Sequence, residues 1–261
     1  MKYFQLFFVF FRVGILGELA YRVNFFVQLF QSLVELGTAL LGLAVVFSYT
    51  NTLGGWHPDD VLALVGVYFL VGGIIGLVIQ PGMGKLIESV RDGTLDFTLA
   101  KPEDAQLLVS IQRIEIWKFI DIVLGLGVLA AALIRLGEHV GGREALSFIV
   151  MMLSGAVILY SFWLMLATLS FWFVRVENIL VIFQSVYEAG RWPISLYPGW
   201  MRFALTFIIP IAFVTTVPAE ALTGRLSSET LFGAVALAAL LFTISRLVWR
   251  MGLRQYSGTS A

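Results

Sequence analysis

The sequence has no cysteine and few charged residues, and each shortage excludes a class of protein. Without cysteine the chain has no disulfide, no thiol nucleophile and no cysteine-ligated metal site. Only 13% of the residues are charged, against about 25% in soluble globular domains, so charged side chains cannot cover a water-facing surface. His57 and His139 lie far apart in predicted loops, and we interpret both as solvated loop residues rather than metal ligands.

The chain also lacks a nucleotide-binding motif. A P-loop, G-x-x-x-x-G-K-[ST], holds phosphates with backbone N–H groups and reaches the terminal phosphates with its Lys. The nearest fragment, residues 82–86, has neither that spacing nor the hydroxyl residue. Nucleophile-elbow and His-Glu-x-x-His motifs are absent as well. We predict that the chain is not an enzyme and has no catalytic, cofactor-binding or metal-binding residues.

Long apolar runs separated by short charged loops make up most of the sequence. The hydrophobic fraction is 59% and the mean hydropathy is +0.90. A membrane-spanning α-helix needs about 20 predominantly apolar residues. The runs that meet this requirement most clearly are residues 24–49, 61–80, 111–136, 147–173 and 231–249.

The stretch 179–222 contains two more apolar pieces interrupted by prolines. Basic residues cluster near both chain ends, and the positive-inside rule puts both clusters in the cytoplasm, so only one piece should cross fully. We predict that residues 179–197 form the fifth of six spans and that residues 199–222 re-enter from the outer face. Hydropathy alone favours the reverse assignment, because the first piece contains Gln184, Glu188 and Arg191.

The segment 1–22 has aromatic residues at helical spacing. Phe4, Phe7, Phe8 and Phe11 lie on one side of a helical wheel, which is typical of an amphipathic helix at the bilayer surface. A second interpretation is that this segment is simply the cytoplasmic start of the first span.

We predict that the whole chain, 1–261, is a single multi-pass domain of the cell (inner) membrane, with both termini in the cytoplasm.

The longest predicted cytoplasmic loop, residues 81–106, has an apolar stripe. Ile87, Val90 and Leu95 give this stripe, and Gly93 is expected to end a short amphipathic helix. Such a helix suits docking into a groove on a soluble partner. A connecting loop that lies on the lipid headgroups is the alternative.

Residues 88–102 of this loop, ESVRDGTLDFTLAKP, resemble the cytoplasmic loop of ABC-2 type transporter permeases. The best match is the pattern Gly93, Leu95, Asp96, Leu99 and Pro102. The resemblance extends to the amino-terminal helix, the six spans, the Pro-rich segment 190–200 and the tail 252–258, so it covers the whole chain.

This resemblance implies an all-α, six-span half-permease of an ABC exporter. Its partners are then an ABC ATPase dimer, a second permease, identical or related, and the lipid bilayer, without nucleic acid. ATP and Mg belong to the partner ATPase, and the substrate is a lipid, glycan or drug-like molecule. The loop residues carried over as ATPase-coupling are Leu86, Ile87, Val90, Arg91, Gly93, Leu95, Asp96, Leu99 and Pro102.

Polar residues inside the apolar runs are candidates for the translocation path. Gln28, Gln31 and Glu35 lie on one face of the first span, and a carboxylate cannot face lipid without a large free-energy cost. We predict that they line the path; hydrogen bonding between helices is the alternative. A second functional hypothesis is an ion-coupled secondary transporter that uses Glu35 or Asp121 as a relay.

Overall fold

The structure, a computed structural model, describes residues 12, 22–137, 140–173 and 176–256. The predicted interfacial helix at 1–22 and His139 fall almost entirely outside them. The α-helices of the described residues are α1 Arg22–Tyr49, α2 Pro58–Ile74, α3 Gln80–Arg91, α4 Asp96–Leu99, α5 Ala105–Ile111, α6 Phe119–Leu136, α7 Gly142–Thr168, α8 Glu177–Tyr187, α9 Gly199–Phe203, α10 Thr216–Leu222 and α11 Ser228–Gln255. No β-strand occurs in these ranges, so the all-α prediction is confirmed.

Five helical segments of the described chain are long and apolar enough to cross a membrane. They are Val23–Tyr49, Pro58–Arg91, Ile116–Leu136, Gly142–Phe171 and Ser228–Gln255. Each overlaps a run that the sequence predicts as a span. The sixth span and the re-entrant hairpin stay predictions.

Polar side chains at the helix starts satisfy backbone N–H groups that have no partner within the helix. At α2, Asp60 accepts a hydrogen bond from the N–H of His57 at 2.9 Å. At α5, Asp104 accepts from the N–H of Gln106 at 2.9 Å. At α11, Ser227 accepts from the N–H of Thr230 at 3.1 Å. These caps position the helices where short loops connect them.

The second span does not end at residue 80, because α2 continues into α3 as one helix of 34 residues, Pro58–Arg91. A π-helical segment, Ile75–Ile79, joins the two parts and precedes Pro81. Proline has no N–H, so the carbonyl of Leu77 loses its usual helical donor. The N–H of Glu115 donates to that carbonyl instead, at 2.9 Å. The helix therefore passes the proline with its backbone satisfied.

The stretch after α8 is broken into short pieces. A 3₁₀ turn, Glu188–Arg191, extends α8, and Pro193 and Pro198 then interrupt the helical chain. Helix α9 continues as a π-helical turn, Ala204–Ile208, which stops just before Pro210. Helix α10 starts only at Thr216.

Helices α2 and α6 pack closely along much of their length because glycines line their contact. Gly66 and Gly73 of α2 face the backbone of α6, and Gly125 of α6 faces the backbone of α2. A Cβ added at Gly73 would lie 2.7 Å from the backbone nitrogen of Ile122. Small residues permit this approach of two backbones, which maximises van der Waals contact inside a membrane.

Contacts between distant segments gather at two ends of the bundle. At one, the Trp56 end, Arg225 forms an ion pair with Asp60 at 2.7 Å and lies over the ring of Trp56. At the other, the Asp104 end, Arg246 of α11 forms an ion pair with Asp104. Helix α2 begins at the Trp56 end, just after α1 ends, and α11 runs from that end toward the other. The start of α1 and the end of α11 therefore lie away from the Trp56 end.

Replacing Gly125 with Ala should destabilise the bundle by about 1–3 kcal/mol, because the new Cβ would lie 2.9 Å from the carbonyl oxygen of Gly66. Gly127→Ala on the same helix is the matched control, since nothing lies within 4 Å of its added Cβ. Thermal unfolding of the two variants in detergent measures the difference. Equal stability of the two would contradict the close packing.

Candidate functional site

A cavity of about 330 Å³ lies among α1, α2, α6, α7 and α8. Charged side chains at its wall are Glu35, Lys118, Asp121, Glu188 and Arg191. Ionisable residues within membrane-spanning helices are rare and usually mark substrate or ion pathways. This cavity is therefore the candidate functional site of the described chain.

The ion pair between Glu35 and Arg191 joins α1 to the end of α8. The Arg191 guanidinium donates to the carboxylate of Glu35 at 2.8 Å and lies 5.2 Å from the centre of the Tyr68 ring. Glu35 is about 18 Å along α1 from Val23, close to the middle of that span. The pair thus lies at membrane depth, where neither charge is stable alone.

A second ion pair closes the same cavity on the α6 side. Lys118 donates to Asp121 at 3.0 Å, and Asp121 also accepts a hydrogen bond from the Ser32 hydroxyl of α1. Asp121 and Ser32 are both buried. Glu115, three residues before Lys118, lies 3.8 Å from Arg113.

Aromatic residues form the inner wall of the cavity. Tyr187 stacks on Tyr68 with ring centres 4.9 Å apart, and its hydroxyl donates to the Tyr68 carbonyl at 2.8 Å. Trp163 packs edge-on against Phe183. Two buried donors, the Nε–H of Arg191 and the Nε1–H of Trp163, have no hydrogen-bond partner in the described chain. Buried donors are normally satisfied, so these two are exceptions within the described chain.

Of the residues predicted for the translocation path, only Glu35 lines this cavity. Gln28 is half-buried on α1, and Gln31 is exposed on the surface of the single chain. Neither borders the cavity, so their role in a path stays a prediction. Ser32, one residue beyond Gln31, is the polar residue of α1 that contacts α6.

Three of the predicted coupling residues are buried and so hold α3 and the loop after it against the bundle. Leu86, Ile87 and Leu95 are buried in the hydrophobic core. Arg91 is exposed, and Phe97 has 76% of its surface exposed. A partner that docks on this loop therefore meets Arg91 and Phe97, while the buried leucines and isoleucine fix its shape.

The turn of this loop depends on Gly93. Its φ of +68° lies in the left-handed region that favours glycine. The N–H groups of Thr94 and Leu95 then both donate to the Ser89 carbonyl, at 2.9 and 3.2 Å. This is a glycine helix end, as the sequence predicts, and it turns the chain back beneath the bundle.

A polar network ties the segment after this loop to α7 and α11. Arg246 donates to Asp104 and to the side-chain oxygen of Gln106, at 2.6 Å for the latter. The Gln106 amide donates to the Tyr160 hydroxyl at 3.1 Å, and Ser110 shares a hydrogen bond with the same hydroxyl at 2.8 Å. Hydrogen bonds from Arg246 lower the pKa of Asp104 below its usual value.

The fold and the site define a multi-pass, α-helical membrane protein whose core encloses a charged cavity. The family model of the ABC-2 family transporter proteins matches residues 33–260. The chain belongs to that family, so it is a membrane component of a transporter, as the resemblance in the loop implies. A search of curated proteins found no match. Within the described ranges, no group of three or more His, Asp or Glu side chains is placed to hold a metal ion.

Several cavity residues could not be predicted from the sequence, because they lie on different helices and share no common spacing. Tyr68, Trp163 and Tyr187 lie on three different helices, and in the sequence each looks like an ordinary apolar-span aromatic. Arg191 has Glu188 three residues before it, which favours a local pair, but it binds Glu35 across the cavity. The one available signal is that each polar residue within an apolar run needs a partner.

The Glu35–Arg191 pair should stabilise the bundle. Glu35→Gln or Arg191→Gln should each lower the unfolding temperature in detergent, because the remaining charge loses its partner. The double variant should lose less than the sum of the two single losses. Asp59 and Arg135 form the control pair, since they are 3.7 Å apart with both side chains exposed, and their variants should change little. Additive losses at Glu35 and Arg191 would contradict the contact.

The lowered pKa of Asp104 predicts a dependence of stability on pH. The contribution of Asp104 is fully present above its unfolded pKa of about 3.9. It is lost as the pH falls through the lower folded pKa, because the protonated side chain no longer attracts Arg246. Asp104→Asn should therefore destabilise the protein at pH 6 and flatten the fall of its stability as the pH drops below about 4. Glu103→Gln is the neighbouring control, and an equal slope in all three proteins would overturn the prediction.

Proposed function

We propose that this chain is the permease subunit of an ATP-binding cassette exporter. It forms the translocation path together with a second, identical or related permease, and a separate ATPase drives transport. The observation that carries this proposal is the charged cavity at membrane depth in a chain of the ABC-2 family. The path runs through this cavity, and Glu35 and Arg191 lie at its centre.

Polar side chains at the edge of the cavity are exposed in the single chain, and this exposure is the argument for a second permease. The side chain of Glu35 is 45% exposed in the single chain, and Gln184 and Glu188 are exposed beside it. A carboxylate at the bilayer centre that faces lipid costs at least about 2.5 kcal/mol. A second permease that covers this face removes it from lipid and encloses a polar path between the two chains.

The proposed topology has six spans with both termini in the cytoplasm. It is supported by the contacts of α8, whose carboxyl-terminal turn reaches Glu35 in the middle of α1. The segment beyond it stays near the Trp56 end, since Leu196 contacts Gly54 and Arg225 binds Asp60. That arrangement suits a fifth span that crosses as a shortened helix, followed by a broken helix that re-enters from the outer face.

The loop at the Asp104 end is the proposed contact for the ATPase. Its exposed surface carries Phe97, an aromatic side chain that suits docking into an apolar groove, and the ion pair of Arg91 with Asp92 at 2.9 Å. Helix α3 connects this loop to the cavity without a break, and Arg246 connects its base to α11. A movement of the loop would thus be transmitted both to the cavity and to α11.

The rival function is an ion-coupled secondary transporter with Glu35 or Asp121 as the relay. Both carboxylates are held in ion pairs, Glu35 with Arg191 and Asp121 with Lys118, so a relay through either one would first have to break its pair. Transport that continues without ATP and stops when the ion gradient is collapsed would favour the rival.

Phe97→Glu should abolish co-purification of the ATPase and ATP-driven transport, because a carboxylate replaces the apolar tip of the loop. The bundle should stay folded, since the Phe97 side chain is 76% exposed. This substitution is sharper than removal of the loop, which would also remove Leu86 and Leu95 from the core.

Tyr49→Glu is the matched control, because Tyr49 is also an exposed aromatic but ends α1 at the opposite side of the bundle. It should leave ATPase binding intact. If Phe97→Glu still recruits the ATPase as well as the unmodified chain does, the loop is not the coupling surface.

A further inference from the structure

A second cavity lies at the Asp104 end of the bundle, and cations make up much of its wall. Its volume is about 410 Å³. Lys85 of α3, Lys101 of the chain after α4, and Arg113 of the segment between α5 and α6 all line it. Cations from three separate segments therefore border one space, which we call the basic cavity.

The positive charges of the basic cavity are only partly neutralised. Glu88 also lines the cavity and forms an ion pair with Lys85 at 3.1 Å. Arg113 lies 3.8 Å from Glu115, which is not a lining residue, and the Arg113 side chain is 56% exposed. Lys101 is exposed and has no ion pair within the described ranges. The lining residues thus hold three cations against one carboxylate, a net charge of +2.

The basic cavity lies at the level of the lipid headgroups. Along the helix Pro58–Arg91, Lys85 is about 40 Å from Pro58, and a bilayer with its headgroups is about 40–45 Å thick. Arg113 precedes by three residues the start of another membrane-spanning segment, Ile116–Leu136. Long Lys and Arg side chains at this depth keep their stems against apolar surface and extend their charges to the headgroups.

The remaining wall of the basic cavity suits a ligand with a polar and an apolar part. Leu108 of α5 is buried and gives an apolar patch, and Thr98 of α4 adds a hydroxyl group. Phe97, the exposed aromatic residue of the loop, does not line this cavity. The cavity is therefore separate from the surface that we propose for the ATPase.

We propose that the basic cavity binds the phosphate group of an anionic phospholipid from the leaflet at the Asp104 end. The phosphate diester lies among Lys85, Lys101 and Arg113, and the acyl chains stay in the bilayer. The net positive charge of the wall attracts the anion, and basic pockets beside membrane helices are suited to anionic headgroups. The depth of the cavity favours a lipid over a soluble phosphate compound. This site goes beyond the proposed function and requires neither the translocation path nor the ATPase.

Two lipids with identical acyl chains test the charge on the purified full-length chain in neutral detergent. Dioctanoyl phosphatidylglycerol should bind at least about tenfold more tightly than dioctanoyl phosphatidylcholine, because the choline cation is repelled by the basic wall. Lys101→Gln combined with Arg113→Gln should weaken phosphatidylglycerol binding about tenfold. Glu88→Gln should strengthen it, because a carboxylate leaves the wall.

Arg250→Gln is the matched control, since Arg250 is an exposed cation of α11 that does not line the basic cavity. It should leave the affinity for phosphatidylglycerol unchanged. A loss as large as that of the double variant would mean that binding reflects the overall charge of this end of the bundle, and it would overturn the proposal.

Equal affinity for the two lipids, or phosphatidylglycerol binding that the double variant leaves intact, also overturns the proposal. The unfolding temperature of the double variant shows whether a loss of binding is a loss of fold. If that variant unfolds, Lys101→Glu replaces it, because Lys101 is exposed and its substitution should leave the bundle folded. Unchanged binding in a folded Lys101→Glu counts against the proposal.

Two further measurements separate the lipid from other anionic occupants. Inorganic phosphate at the concentration of the lipid should not displace phosphatidylglycerol. Displacement would assign the cavity to a soluble phosphate compound and overturn the lipid as its occupant. Loss of ATPase co-purification in the double variant, with the affinity for phosphatidylglycerol unchanged, would assign the cavity to the ATPase and overturn the proposal as well.

Discussion

In the hydrocarbon part of a membrane every charge and every free backbone group needs a partner within the protein. Three contacts of this structure satisfy that constraint between segments distant in sequence. Arg191 binds Glu35, the Ser32 hydroxyl donates to Asp121, and the carbonyl of Leu77 accepts the N–H of Glu115. Each contact joins segments that apolar packing alone would leave free to slide or rotate. The reason is that apolar side chains interact with lipid tails as favourably as with one another. The positions of α1, α2, α6 and α8 around the cavity depend on them.

The same constraint explains the irregular backbone. Pro81 removes a donor from the middle of a long helix, and the freed carbonyl is met by a neighbouring segment, so the helix continues to Arg91. Pro210 follows a π-helical turn, and there the chain opens into a break instead. At Pro81 the N–H of Glu115, from another segment, keeps the backbone of the long helix satisfied. As a result, the loop with Phe97 is carried on an unbroken helix that also borders the cavity.

Glycine decides how close the helices come. At Gly66, Gly73 and Gly125 the backbones of α2 and α6 are almost in contact, which makes this pair a firm unit within the bundle. Helix α1, in contrast, buries little of its surface in the single chain. Ser32 and Ala39 are buried, Glu35 binds Arg191, and Leu36, Leu40, Leu43 and Phe47 pack against the core. An exposed, partly charged helix beside a firm pair is consistent with a face that a second permease covers.

The sequence by itself determined the class of the protein, because spans must be long and apolar whatever surrounds them. It placed five spans and the glycine turn at Gly93. Helical periodicity predicts which residues of one helix share a face, but not which helix lies opposite. Gln28 and Gln31 therefore looked equivalent to Glu35, and Arg191 looked paired with Glu188. Only the tertiary structure decided that Glu35 meets Arg191, that Leu86 and Leu95 are buried while Phe97 is exposed, and that Asp104 meets Arg246. The two ion pairs join residues that are 156 and 142 positions apart, and the burial around Phe97 depends on how the loop packs. No local pattern of residues encodes such contacts.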